Sequence, residues 1–156
     1  MKISELLTPE LITTDLPVSD KNQVIEAMLK LIEHDPRVLD FQKVKQSVFD
    51  REKVMSTGVG KNFAIPHGKT DGISDIIIAF GKSDNPINYS SLDGQPVYLV
   101  LLMIGRENSV SFNIKILSRI SRMMSNDQFR EKLRLAESAA EIRGIFAEEE
   151  SKYFDL

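Results

Sequence analysis

His67 is the residue of this chain whose surroundings best suit nucleophilic chemistry. It stands in the segment Ala64-Ile65-Pro66-His67-Gly68. Pro66 has a fixed φ and keeps the preceding residue extended, so the imidazole is presented from a stiffened backbone, and Gly68 leaves room beside the ring. A neutral imidazole with a pKa of about 6.5 is a competent nucleophile at neutral pH. The segment therefore makes His67 a candidate acceptor for an electrophilic group.

The residues before His67 can supply what an incoming phosphoryl group needs. Thr57, Gly58 and Gly60 offer hydroxyl and backbone N–H donors, and Arg51 offers a planar cationic fork that matches phosphoryl oxygens. Together these residues predict that His67 accepts a phosphoryl group. The alternative from spacing alone is a loop histidine whose ring is simply hydrogen-bonded by the backbone.

Two nucleotide-binding motifs are excluded by the residues around Gly58-Val59-Gly60-Lys61. A phosphate-binding Walker loop would need glycine at the position of Met55 and serine or threonine at the position of Asn62. A dinucleotide fingerprint would need its third glycine at Phe63, and it would have to follow a strand. We therefore predict no nucleotide site.

The second histidine, His34, has a simpler interpretation. It comes at the end of a predicted helix beside Asp35-Pro36, where an imidazole complements the negative end of the helix. His34 and His67 are far apart in sequence, and neither has a carboxylate at a metal-ligand spacing. The sequence thus predicts that His34 is a bystander and that the protein binds no metal.

Composition excludes several classes of protein. The chain has 156 residues, 42% of them hydrophobic and 28% charged, with a net charge of -3, so we expect one globular domain and no binding to nucleic acid. The longest apolar run, Val97 to Ile104, is far shorter than the roughly 20 residues of a membrane span, so no membrane insertion is expected. The chain has no cysteine and its first residues do not resemble a signal peptide, which favours a cytoplasmic location.

The periodicity of apolar residues predicts the elements that must position His67. We expect a short strand at 11–16, helices at 20–35 and 40–52, a long loop at 53–72, strands at 76–80 and 97–104, and helices in the last third. Ser138 and Glu141 form a capping box before the last helix, and the acidic residues 148–150 should be a frayed, solvated end. This order predicts an α/β fold, a three-layer sandwich with a mixed central sheet flanked by helices.

Over nearly its whole length the chain resembles the enzyme IIA domains of the fructose and mannitol class of the bacterial sugar phosphotransferase system, including their nitrogen-regulatory branch. The most specific matches are Arg51-Glu52, Thr57-Gly58-Val59-Gly60 and the segment 64–68 around His67. The resemblance implies that residues 1–156 form a single enzyme IIA type 2 domain and that His67 is phosphorylated. It also implies that Arg51 holds phosphoryl oxygens and that no metal or organic cofactor is needed. Glu52 matches as well, with no role that can be derived from the sequence.

The resemblance also implies partners. A phosphohistidine carrier protein would donate the phosphoryl group to His67, and a cysteine on an enzyme IIB domain would accept it. One alternative is a regulatory enzyme IIA whose phosphorylation state controls binding to regulatory proteins. A second alternative is a binding module that is not phosphorylated.

One position departs from the family pattern. Where the family has a second histidine, this chain has Asn113-Ile114. Asparagine can donate and accept hydrogen bonds but cannot become a cation. We therefore expect Asn113 to support the phosphoryl site less well than histidine. The alternative is that Asn113 hydrogen-bonds His67 and fixes its tautomer.

Overall fold

The computed structural model describes residues 2–153. The α-helices are α1 (Ile3–Leu6), α2 (Lys21–Ile32), α3 (Phe41–Val54), α4 (Val110–Met124), α5 (Asp127–Leu135) and α6 (Ala139–Tyr153). The strands are β1 (Ile12–Thr13), β2 (Gly58–Gly60), β3 (Phe63–Ala64), β4 (His67–Thr70), β5 (Ile77–Ile87) and β6 (Val97–Arg106). A short 3-10 helix, Pro9–Leu11, leads into β1.

The strands form one mixed sheet in the order β1-β5-β6-β3-β2. The long strands β5 and β6 run antiparallel at its centre, while β1 is parallel to β5. Both β3 and β4 are parallel to β6 and follow each other along the same side of it. The sheet therefore has the mixed character that the sequence predicts.

Helices cover both faces of this sheet. Alternate residues of β5 point to opposite faces: Ile78 and Phe80 pack with α4, α5 and α6, whereas Ile77 and Ala79 pack with α2 and α3. Because both faces are buried, β6 and the first half of β5 are continuous apolar runs rather than alternating ones. The predicted three-layer sandwich is confirmed.

The helices begin where the sequence places caps. The Asp20 carboxylate accepts a hydrogen bond from the Gln23 N–H at 2.9 Å, which caps the start of α2. Ser138 Oγ accepts from the Glu141 N–H at 3.1 Å at the start of α6, as the predicted capping box requires. His34 lies just past the end of α2 and is exposed.

The prediction of a loop over 53–72 is wrong in part, because β2, β3 and β4 lie inside it. These strands are two to four residues long, too short to show a period of their own. Two of them are defined by pairing with β6, more than 30 residues away; for example, His67 pairs with Met103. Long-range pairing of this kind leaves no local pattern in the sequence.

The prediction of a frayed acidic end is also wrong. Residues 148–150 belong to α6, and the side chains of Glu149 and Glu150 are buried. The Glu150 carboxylate accepts hydrogen bonds from the backbone N–H groups of Ile3 at 2.6 Å and Ser4 at 2.8 Å. These N–H groups at the start of α1 have no partner within the helix, so the buried carboxylate joins the two ends of the described chain.

Candidate functional site

A cleft of about 610 Å³ opens beside His67. It is lined by residues of α3, β4 and α4, with one residue from β6. Its lining includes three cationic side chains, Lys43, Arg51 and Lys69, and its α4 side carries the exposed apolar residues Val110 and Ile114. The volume is in the range of sites that bind small molecules or receive a side chain of a partner.

The geometry of His67 fixes the chemical state of its ring. Nδ1 lies 2.8 Å from the carbonyl oxygen of Ile65. A carbonyl oxygen can only accept a hydrogen bond, so Nδ1 carries the proton and donates it. In the neutral ring the lone pair is then on Nε2. Nε2 is therefore the ring nitrogen of His67 that is able to act as a nucleophile.

The surroundings of His67 also favour its neutral form. Burial lowers the pKa of His67, and the positive charge of Arg51 lowers it further. The Ile65 carbonyl and the Glu52 carboxylate act in the opposite direction without reversing the shift. A histidine with a lowered pKa keeps a free lone pair on Nε2 at neutral pH.

Pro66 determines how His67 is presented. It has no N–H to donate to the sheet, so the strand beside β6 is divided into β3 before it and β4 after it. The Pro66 carbonyl still accepts a hydrogen bond from the Met103 N–H at 3.1 Å. The Ile65 carbonyl, in the gap between β3 and β4, lies 2.8 Å from Nδ1 of His67.

Arg51 lies in the last turn of α3 and shares the cleft with His67. One guanidinium nitrogen, Nη1, donates to the Met55 carbonyl at 2.9 Å, just past the end of the helix. This bond orients the fork at the edge of the cleft and leaves its other donors available. The structure thus brings Arg51 and His67 to the same cleft.

Thr57, Gly58 and Gly60 do not line this cleft. The Thr57 hydroxyl donates its proton to the buried Glu52 carboxylate at 2.5 Å, so this hydroxyl cannot donate to a ligand. The Gly58 carbonyl accepts from the Leu92 N–H at 2.8 Å. Gly60 has φ of +111°, in the left-handed region that favours glycine. The Gly58 N–H donates to Ser56 Oγ at 3.1 Å, so the Thr57 hydroxyl and the Gly58 N–H already have partners within the protein.

Gly68 and Asn113 line the cleft, but their contacts differ from expectation. A Cβ on Gly68 would lie 2.9 Å from the Ser47 carbonyl carbon, so this glycine lets α3 approach β4 rather than clearing space beside the ring. The Asn113 amide is buried and donates to the Arg106 carbonyl at 2.9 Å. Since the Ile65 carbonyl holds Nδ1 of His67, the alternative that Asn113 fixes the tautomer is wrong.

Within residues 2–153, no group of three or more histidine, cysteine, aspartate or glutamate side chains is arranged to hold a metal ion. None of the helices in that range combines the length and the apolar character needed to cross a bilayer.

The family model for the phosphoenolpyruvate-dependent sugar phosphotransferase system, EIIA 2, matches residues 5–149. The chain belongs to this family. Two similar proteins represent different branches of it. The fructose-specific EIIABC component of Bacillus subtilis is 37% identical over 138 residues, which are 88% of this chain but only 22% of that protein. A nitrogen regulatory protein of Bradyrhizobium diazoefficiens is 34% identical over 151 residues, covering 94% of this chain and 95% of its own length.

Solved structures of enzyme IIA proteins agree in fold. The nitrogen regulatory protein IIA-Ntr of Neisseria meningitidis superimposes with a TM-score of 0.86 at 33% identity, covering 92% of this chain and 98% of that one. The IIA mannitol protein of Escherichia coli superimposes with a TM-score of 0.77 at 19% identity, covering 89% of this chain and 97% of that one. The likeness to the mannitol protein concerns the fold alone.

Sequence reasoning missed several contributors to this enzyme IIA site. Lys43 and Lys69 line the cleft, and the backbone carbonyl of Ile65 selects the tautomer of His67. Lys69 could have been noticed, because it is two residues from His67 on a short strand. The role of the Ile65 carbonyl left no signal, since a backbone group makes the contact.

Proposed function

We propose that this enzyme IIA carries a phosphoryl group on Nε2 of His67. The observation that supports this most directly is the hydrogen bond from Nδ1 to the Ile65 carbonyl, which leaves the lone pair on Nε2 beside an open cleft lined by three cations and one carboxylate, Asp50. Residues 1–156 are proposed to act as a single enzyme IIA type 2 domain in the cytoplasm.

In this proposal a phosphohistidine carrier protein supplies the phosphoryl group. The lone pair of Nε2 forms a new N–P bond as the N–P bond of the donor histidine breaks, and the donor nitrogen recovers its electron pair. No proton has to move, because the proton of His67 is already on Nδ1. The reaction needs in-line positioning and charge stabilisation rather than a metal or an organic cofactor.

Each neighbouring group has a part in the transfer. Arg51 neutralises charge on the phosphoryl oxygens with a fork whose geometry matches them. After transfer the ring retains its Nδ1 proton and becomes positively charged, and the Ile65 carbonyl dipole stabilises that charge. A positively charged ring is a good leaving group, so the phosphoryl group can move on to a cysteine of an enzyme IIB.

The test is phosphorylation in a purified relay. Incubation with phosphoenolpyruvate and the general phosphoryl-transfer proteins should place acid-labile phosphate on the wild type. It should leave His67→Ala unlabelled and His34→Ala fully labelled. Labelling of His67→Ala would overturn the assignment.

A regulatory role is the second candidate. It is supported by two nitrogen regulatory relatives, the protein of Bradyrhizobium diazoefficiens at 34% identity and IIA-Ntr of Neisseria meningitidis at 33% identity with a TM-score of 0.86. In that case the charge gained on His67 changes contacts with regulatory proteins. Adding a fructose-type IIB domain to the phosphorylated protein separates the two roles. Rapid loss of phosphate to the IIB cysteine supports transport, and retention of phosphate supports regulation.

A further inference from the structure

We propose that Glu52 is a positioning residue for His67, acting through a chain of hydrogen bonds that runs Glu52, Thr57, Ile65, His67. We refer to this chain as the Glu52–His67 relay. It rests on the proposed function only in giving His67 a reaction to perform. Its physical claim is that Glu52 fixes the tautomer of the unphosphorylated ring.

The first link joins Glu52 to Thr57 through two hydrogen bonds. The Thr57 N–H donates to Oε2 at 2.8 Å, and the Thr57 hydroxyl donates to Oε1 at 2.5 Å. Glu52 is in the last turns of α3 and Thr57 follows the end of that helix, so the pair closes the chain back onto the helix. Both side chains are buried.

The second and third links pass through the backbone. The Thr57 carbonyl accepts from the Ile65 N–H at 3.0 Å. The Ile65 carbonyl, on the same residue, accepts from Nδ1 of His67 at 2.8 Å. The position of Thr57 therefore determines where the Ile65 carbonyl lies, and that carbonyl selects the tautomer of the ring.

Two further side chains contact the Glu52 carboxylate and fix its position. Lys21 Nζ lies 3.0 Å from Glu52 Oε2, and the Tyr89 hydroxyl donates to Oε1 at 3.2 Å. Burial would raise the pKa of Glu52, but the hydrogen bonds from Thr57 and Lys21 bring the pKa below its usual value. Glu52 is thus an ionised, acceptor-only group at neutral pH, and it is saturated with donors.

Removal of the Glu52 charge should weaken the hydrogen bonds of the relay without leaving a cavity in the core. In Glu52→Gln the side chain keeps its shape but loses its charge, so Lys21 loses its ion pair and the hydrogen bonds from Thr57 lose their charge assistance. Thr57→Val removes the hydroxyl bond while the N–H bond to Glu52 remains. A less restrained Ile65 carbonyl holds Nδ1–H less firmly, and the ring moves toward the Nε2–H tautomer that an unconstrained imidazole favours in water.

The experiment measures the tautomer directly. Protein carrying 15N-labelled histidine is studied by long-range proton–nitrogen NMR without phosphoryl donor, at a pH where the rings are neutral. The chain has two histidines, and exposed His34 serves as an internal reference. The matched control is Glu26→Gln, the same chemical change at an exposed position on α2.

The wild type and Glu26→Gln should show His67 as the Nδ1–H tautomer. Glu52→Gln and Thr57→Val should each lower the ratio of Nδ1–H to Nε2–H by roughly fivefold, which is the net contribution of one neutral hydrogen bond and also of the charge assistance that glutamine removes. A His67 ring that stays fully Nδ1–H in both folded variants would overturn the proposal. If one variant does not fold, the other gives the answer by itself.

The outcome is independent of whether His67 carries phosphate. If the tautomer shifts but the wild type is never phosphorylated, the relay stands and the proposed function fails. If both hold, the rate of phosphorylation at saturating donor should fall in Glu52→Gln by the same factor as the Nδ1–H population. A purely structural role for Glu52 would lower the melting temperature without shifting the tautomer.

Discussion

Substitution of Arg51 by alanine separates the chemistry of the site from its stability. The guanidinium is at the edge of the cleft and its one described bond, to the Met55 carbonyl, is exposed. Loss of an exposed contact of this kind costs about 0.5 kcal/mol or less of unfolding free energy. Loss of a donor that faces developing charge in a transition state costs about 100-fold in rate. We therefore expect slow phosphorylation by a folded protein.

The same substitution should change the pH dependence of His67. The charge of Arg51 contributes to the lowered pKa of His67, so its removal raises that pKa. Protonation of Nε2 removes the lone pair, so the rate falls as pH drops through the pKa of the folded protein. In the wild type this fall should occur below the usual value of about 6.5, and in Arg51→Ala it should begin at a higher pH.

The assay combines rapid-quench measurement of acid-labile phosphate with an NMR titration of the His67 ring and a thermal melt. Lys53→Ala is the matched control, because it removes an exposed cation from the same helical turn and Lys53 does not line the cleft. Arg51→Lys should recover part of the rate, since it keeps the charge and loses the fork. A rate for Arg51→Ala equal to that of the control, or a large loss of stability, would refute this reasoning.

Three other substitutions give independent checks. Asn113→His should accelerate phosphorylation and add a pH-dependent component to the rate between about pH 6 and 8, measured by the same quench assay. A variant no faster than the wild type at any pH would contradict the view that asparagine weakens the site. Glu150→Gln should lower the unfolding free energy by about 2 kcal/mol and the melting temperature by about 4–8 °C, because one of the two accepting oxygens is replaced by an NH2 group that faces a buried N–H. Exposed Glu148→Gln should have little effect, and equal melting temperatures for the two variants would refute the capping role. Gly68→Ala should lower the unfolding free energy, measured by chemical denaturation, by about 1–3 kcal/mol, because the new Cβ meets the Ser47 backbone. Unchanged stability would show that α3 can move away from β4 at no cost.

Features that repeat along the chain were predictable from the sequence. The apolar faces of α2, α3 and α4 recur at helical spacing, and the caps at Asp20 and Ser138 are defined by residues three positions apart. The central strands could be recognised because burial on both faces makes them continuous apolar runs. These features depend on near neighbours alone.

Features that depend on distant partners were not predictable. The short strands around His67 exist because β6 pairs with them, and Glu150 is buried because the N–H groups at the start of α1 need an acceptor. Within the site, the stiffening role of Pro66 could be derived, whereas the contact of the Ile65 carbonyl with Nδ1 could not. The proposed role of Glu52 could not be derived either, because its donors Lys21, Thr57 and Tyr89 come from three separate segments of the chain.

The central claim is that Nε2 of His67 carries the phosphoryl group. The most direct measurement is phosphorus–nitrogen NMR of protein with 15N-labelled histidine, phosphorylated in the purified relay. We predict one phosphorus coupled to Nε2 of His67, with the ring of His34 unchanged. Coupling to Nδ1 of His67, coupling to His34, or no bound phosphorus under conditions that phosphorylate a known enzyme IIA would contradict the account.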